Sequence, residues 1–418
     1  MGRLGQISIN LEVLLLWLFR FYAFSLPFEL FFEVMFDIDT IFKPFRIIGL
    51  SILSVYGIKV LKEGLHLNVY ERNDLFYYCA ILYGIIISCI RIMEGPFNIN
   101  LFYNDLFLIS LNVLIFFIFK NTKFIIEEFH SIIWYLIAGI IANGLYIFYS
   151  FNFLGVVSRQ SGFSDNPNYT ALGTAMAITF LLLKSNFLKT WWKQFLLVII
   201  SLILLYVFMI TGSRTGLIIL IVSLFLVFIF ASIYRKILVV FFGILAGVIF
   251  MPSYIDNDAL ENSLVLVKRI NSKMDQEEVD VRFVIWDGVF RMLENEGYWG
   301  MGIGQYKDKF DSYFTSESHL YIVQIVERGY FLSTHNEYLA ILTDFGLPAL
   351  VLYLAFLGFH LLKRLKNQGG HSNQSELSLF ISQYQLLLIC CLIIFNMASE
   401  NLPNPLYNFL LMVGTKHQ

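Results

Sequence analysis

The stretch Gln194–Tyr234 reads QFLLVIISLILLYVFMI TGSRTG LIILIVSLFLVFIFASIY, and it decides the fold. Two apolar runs, 194–211 and 214–234, meet at a short polar link whose single charge is Arg214. Each run approaches the roughly 20 apolar residues with which a helix crosses about 30 Å of hydrocarbon. Runs of this kind recur along nearly the whole chain. The 418 residues are 58% hydrophobic and only 14% charged, and mean hydropathy is +0.69. That is too little charge to clothe a soluble domain of this size. A net charge of −2 argues against a nucleic-acid partner. Cys79, Cys89, Cys390 and Cys391 all lie inside apolar runs, a placement that suggests neither a disulfide framework nor a zinc site.

Extending this reading outward gives a single polytopic domain over 1–418. It has about twelve transmembrane helices, at roughly 8–26, 46–64, 75–93, 101–119, 129–152, 169–184, 194–211, 214–234, 236–254, 336–363, 379–398 and 402–416. The first span reads as a retained anchor rather than a cleaved signal. Lysine and arginine set the orientation. One set of short loops carries Lys62, Lys120, Lys184, Lys193, Arg235, Lys236, Arg364 and others, whereas the opposite set carries only Lys43, Arg46, Arg91, Arg159 and Arg214. The first set is therefore expected in the cytoplasm with both termini, and the second outside. The loop 255–335, between spans nine and ten, holds more than a third of the charged residues and falls outside. Within it, about 281–294, Val281, Ile285, Trp286, Val289, Phe290 and Leu293 form one helical face, with Arg282, Asp287, Arg291 and Glu294 opposite. An amphipathic helix is expected there, lying on the membrane surface or over a cavity between spans.

The outer face gathers unusual residues. Arg159 and Asp165 precede the sixth span, Arg214 opens the eighth, and Arg282 sits on the loop helix. Arginine holds its charge at any relevant pH, and its planar fork matches phosphate oxygens. Any one of them could also be a snorkelling flank or half of a surface ion pair, as Glu278 could be to Arg282. Arg214 is harder to explain that way, because Ser213 as N-cap places it in a first helical turn, where the dipole disfavours a cation. His335 opens Ser-Thr-His-Asn-Glu-Tyr-Leu at the start of the tenth span. Thr334 and Glu337 have capping-box spacing, which puts His335 at the first helical position. There the ring stays neutral and able to take a proton from an incoming hydroxyl. A histidine bonded to loop backbone is the plainer alternative, and His319 is a competitor in the same loop.

Lesser features are Gly300, Gly302 and Gly304, a turn whose amides could cradle phosphate. Glu400, between the last two spans, could orient a base or a sugar, or cap a helix. Asp37 and Asp39 form an Asp-x-Asp that could carry a divalent metal.

Taken in order, Arg-x-x-Gly-Phe-x-x-Asn-Pro-Asn (159–168), Gly-Ser-Arg-Thr-Gly (212–216), Arg-x-x-x-Trp (282–286), Gly-Ile-Gly (302–304) and His-Asn-Glu-Tyr-Leu then Phe-Gly-Leu-Pro (335–348) resemble the O-antigen ligase and polymerase superfamily. The match covers 155–360; the first 150 residues resemble that family only in hydropathy. One departure is Asp344, where the family commonly has glutamate. The resemblance implies an all-α membrane fold of the GT-C type enclosing a periplasmic cavity. There a glycan passes from undecaprenyl pyrophosphate to a hydroxyl, without nucleotide sugar, metal or other cofactor. It implies pyrophosphate binding by Arg214, Arg282 and, as an addition, Arg159, and acceptor activation by His335. Asn336, Asp165 and Glu400 are supporting candidates. The expected location is a bacterial inner membrane, and the expected partners are the lipid-linked oligosaccharide, the bilayer and a chain-length regulator or flippase.

Three activities fit these expectations. A repeat-unit polymerase is preferred; a ligase joining polymer to lipid A core shares the same motifs. A flippase or transporter of lipid-linked sugars would place ionisable groups near mid-membrane and show paired repeats, and no internal repeat is evident here. A metal-dependent transferase built on Asp37 and Asp39 is a further alternative.

Overall fold

The computed structural model describes residues 10–37, 43–64, 73–154, 160–231, 236–237, 240, 281–309, 313, 334–368 and 375–416. Among these, every regular element is a helix. In chain order they are α1 (Leu11–Ser25), α2 (Phe31–Phe36), α3 (Pro44–Glu63), α4 (Asp74–Glu94), α5 (Ile99–Asn121), α6 (Ile126–Phe153), α7 (Pro167–Ser185), α8 (Trp191–Thr211), α9 (Arg214–Phe230), α10 (Val281–Glu296), α11 (Tyr306–Lys309), α12 (Glu337–Ala340), α13 (Leu347–Asn367), α14 (Glu376–Phe395) and α15 (Pro405–Thr415). Among the described residues, eight segments are long and apolar enough to cross a membrane: α1 with the turn after it, α3, α4, α5, α6, α8, α13 and α14. The chain is an all-helical, multi-pass membrane protein.

The quoted stretch folds as two helices joined by a minimal link. Gly212, at φ 62°, closes α8 in the left-handed region that glycine adopts at no steric cost. Ser213 caps α9, its Oγ accepting the Gly216 amide at 3.0 Å. On α9, Ile218, Ile221, Phe225 and Ile229 form an exposed apolar stripe at helical spacing, suited to lipid.

Behind these helices stands α7, buried along its whole length from Tyr169 to Leu183. Ala171, Gly173, Thr174, Ala175 and Ala177 give it the small surface that lets neighbouring helices approach closely in a membrane bundle. The other buried helix is α15. Its 11 residues reach only about 16 Å at 1.5 Å per residue, so the expected span 402–416 is a half-length helix inside the bundle. Its carbonyl end is satisfied by side chains: Lys120 donates to Thr415 O (2.7 Å), Arg364 to Gly414 O (3.2 Å) and Gln385 to Val413 O (2.8 Å). Cationic donors suit the negative end of a helix, and the buried carbonyls would otherwise be orphaned. Lys416 in turn donates to the carbonyls of Phe119 and Thr122, both at 2.7 Å, latching the chain end to α5.

The expected tenth span, 336–363, is also corrected. Gly346, at φ 93°, breaks it, so that α12 and a π-helical turn over Ile341–Phe345 precede a membrane helix that starts at Leu347. Most of the expected ninth span, 236–254, lies outside the described residues.

Candidate active site

Local sequence puts Arg214 at the start of one helix and His335 just before another. Arg214 is the first residue of α9, as expected from its cap. The Ser213 hydroxyl also donates to Asn168 Oδ1 at 2.9 Å, pinning the start of α9 to the start of α7. Arg214 is half-buried, and among the described residues no carboxylate pairs with it. A half-desolvated, unpaired guanidinium at the positive end of a helix favours an external anion.

From Asn168 the contacts run inward. The neighbouring Tyr169 donates its hydroxyl to the Glu400 carbonyl, and lies within electrostatic range of Glu337, Glu400, Glu29 and Asp165. Glu400 Oε1 accepts three donors: the Thr334 amide, the Thr334 hydroxyl (2.8 Å) and the Tyr306 hydroxyl (2.9 Å). Thr334 is the residue before His335, so Glu400 fixes the backbone from which that imidazole projects. From the other side, the Trp286 indole N–H donates to Thr334 O at 2.9 Å. Trp286 stands one helical turn after Arg282, so the two share a face of α10 and are not on opposite faces as expected. One chain of neighbours and hydrogen bonds thus runs from Arg214 through Ser213, Asn168, Tyr169, Glu400 and Thr334 to His335, and on through Trp286 to the helix of Arg282.

The capping box is corrected. Asn336, not Thr334, caps α12: its Oδ1 accepts the Tyr338 and Leu339 amides at 2.9 and 3.2 Å. Asn336 is extended (φ −154°), as a cap must be, and asparagine caps at least as well as threonine. Glu337 does not reach back, because its Oε2 accepts the backbone amides of Asn401 and Leu402. His335 therefore precedes the cap, at φ 49°, in a left-handed conformation uncommon for a side chain with a Cβ. Such a conformation persists only where the surroundings hold it. Asn336, a supporting candidate, has this capping task.

α10 forms where the periodicity placed it. Ile285, Val289, Met292 and Leu293 are buried with Met301 and Tyr306, against partly buried Leu339 and Leu342. It packs against the α12 segment and the turn after it. Phe290, expected on the buried face, is 49% exposed, and Met292 takes its place. Asp287 and Arg291 pair at 2.8 Å on the outer side, leaving Arg282 half-buried near the Trp286 turn. Asp165 is exposed in the bend before α7. Arg159, Glu278, His319 and Asp39 lie outside the described residues; Asp37 caps the end of α2.

The glycine turn does not offer its amides to phosphate. Asp344 takes them: Gly304 N to Oδ2 at 2.9 Å and Tyr306 N to Oδ1 at 3.2 Å, while Gly302 N donates to the Asp344 carbonyl at 2.9 Å. Gly300, at φ 98°, leaves no room for a Cβ, which would stand 2.7 Å from the Phe345 carbonyl carbon.

Several residues of the site escaped the sequence. A small cavity of about 40 Å³ beside Glu400 is lined by Glu337, Asp344, Asp105 and Lys307 over apolar walls that include Ile303 and Leu402. Burial pushes the Glu337 and Asp344 carboxyls up to about 8, so both are mostly protonated near neutral pH. Burial pulls Lys307 down, but Asp105 (3.2 Å away), Glu400 and Asp344 outweigh it and hold the ammonium charged. Glu337 was visible in the His335 motif; Asp105 and Lys307, 202 positions apart, gave no local signal.

Compared with known proteins, the chain matches the O-antigen ligase family over residues 199–354, a segment that begins in α8, ends in α13 and contains Arg214, Arg282 and His335. No curated protein matches it. The matched segment contains the motifs at 212–216, 282–286, 302–304 and 335–348, while the one at 159–168 precedes it, and the match supports the resemblance to the O-antigen ligase and polymerase superfamily.

Proposed function

We propose that this protein is a glycosyltransferase that polymerises repeat units of a surface polysaccharide, such as O-antigen or capsule, on the outer face of the bacterial inner membrane. The observation that carries this reading is the run of contacts joining Arg214 and the Arg282 helix to His335, inside the segment that matches the O-antigen ligase family. The donor is a glycan on undecaprenyl pyrophosphate, its lipid tail held among the spans. His335 takes the proton of an acceptor hydroxyl as the oxygen attacks the anomeric carbon from the face opposite the pyrophosphate. The bond from that carbon to the pyrophosphate oxygen breaks, and its electron pair leaves with the pyrophosphate, whose growing charge Arg214 and Arg282 stabilise, with Arg159 as a further ligand. The product is inverted at the anomeric carbon, and no metal or nucleotide sugar takes part. Both termini then lie in the cytoplasm, with 255–335 outside.

The second reading is ligation of finished polymer to lipid A core, favoured by the description of the matching family. Deleting the gene and resolving surface polysaccharide on a gel separates the two. Core bearing single repeat units indicates a lost polymerase. Free lipid-linked polymer indicates a lost ligase. An unchanged pattern contradicts both.

A further inference from the structure

Thr334 is held more tightly than a loop residue needs to be. Its amide and hydroxyl meet Glu400 Oε1, its hydroxyl lies 2.8 Å from the Asn336 carbonyl, and its own carbonyl accepts the Trp286 indole N–H. The two clamps come from different places. Glu400 belongs to the segment between α14 and α15, and Tyr306, on the α11 side, donates to the same Oε1. Trp286 belongs to α10, one turn from Arg282. What they hold in common is the backbone that forces His335 to φ 49°. Both clamping side chains lie outside the eight long apolar helices.

We infer that Glu400 and Trp286 are positioning residues that jointly set His335 relative to Arg282, so that seating the pyrophosphate on α10 and aiming the base at the acceptor hydroxyl are one coupled event. Glu400 fixes Thr334 to the bundle, and Trp286 fixes the same residue to the helix that carries the phosphate ligand. A displacement of α10 is passed to the imidazole through one hydrogen bond. This rests on the function proposed above and adds to it a pair of residues and a coupling.

The test uses the full-length protein in lipid nanodiscs, with the lipid-linked repeat unit extracted from cells that lack the gene. Trp286→Phe keeps an aromatic ring and removes only the N–H; Glu400→Ala removes the acceptor, and Glu400→Gln keeps an oxygen in its place. A catalytic group misplaced by about 1 Å loses on the order of 100-fold in rate. Glu400→Ala is therefore expected to lower kcat by about that factor with KM for the donor unchanged, and Glu400→Gln to restore most of it. Trp286→Phe lowers kcat about tenfold, and the double variant falls no further than Glu400→Ala alone, as for residues acting as a unit. The rate at which diethyl pyrocarbonate modifies His335, read by peptide mass spectrometry, changes in both single variants while the melting temperature of Trp286→Phe holds. Wild-type kcat in Trp286→Phe, additive losses, or losses confined to KM overturn the inference. Should Glu400→Ala fail to fold, Glu400→Gln and Trp286→Phe carry the test. If His335→Ala and Arg214→Ala are also fully active, the functional reading itself has failed; if only the clamp variants are active, the coupling alone has.

Discussion

The Gly304 amide donates to the Asp344 carboxyl at 2.9 Å, so the glycine turn expected to cradle an external phosphate is closed around an internal acceptor. The turn and the break at Gly346 lie backbone against backbone: a Cβ on Gly346 would come within 2.4 Å of the Trp299 carbonyl oxygen.

Asp344→Ala should therefore leave two buried amides without partners, at about 1–3 kcal/mol each before relaxation. Gly300→Ala should destabilise through both its φ of 98° and the clash at Phe345. Melting of the purified protein in detergent checks both. An Asp344→Ala variant as stable as the parent contradicts the internal role.

Glu337 gives a pH signature with a definite sign. Its folded pKa, about 8, lies above the ordinary carboxylate value. The folded state thus holds a proton that the unfolded chain gives up, and the advantage, complete below about pH 4, is lost as pH rises toward 8. Stability should fall between pH 5 and pH 8.5, and Glu337→Gln should flatten that slope. A slope of the same size in both proteins removes the assignment.

Arg214 is predicted to be required as arginine. Losing a donor aimed at developing charge costs about 10²–10³ in rate. Arg214→Ala should match that loss with normal protein level, and Arg214→Lys should recover little, because lysine lacks the planar fork. Ser213→Ala should cost about 1 kcal/mol of stability through the lost cap, measured by melting.

At the other end of the bundle, Arg364→Ala uncovers the last carbonyls of α15. The melting temperature should drop while turnover per folded molecule stays constant. A drop in turnover instead would place α15 in the chemistry.

Much of this was legible in the sequence. Hydropathy marks the spans because lipid demands continuous apolar helices, and the polar link at 211–216 yielded both the cap at Ser213 and the place of Arg214. Periodicity found α10. What failed was local competition: Thr334 and Asn336 both suit a cap, and only the tertiary pull of Asn401 and Leu402 on Glu337 decides between them. Phe290 and Met292 are separated by a partner surface that no single-helix pattern contains. The half-length α15 reads as a span because its composition is apolar, and its carbonyl end is satisfied by Arg364, Gln385 and Lys120, far away in the chain. Asp105, Lys307 and Asp344 meet only when α5, α11 and the π-helical turn after α12 are packed together.

The central claim is that His335 activates the acceptor at a site shared with the two arginines. The most direct measurement is transfer of glycan from extracted lipid-linked repeat unit by the purified protein, with EDTA present. Elongated product is predicted for the parent and for Asp37→Asn, and none for His335→Ala of normal melting temperature. Full elongation by His335→Ala, together with loss in EDTA or in Asp37→Asn, would contradict the account and point to the metal-dependent alternative.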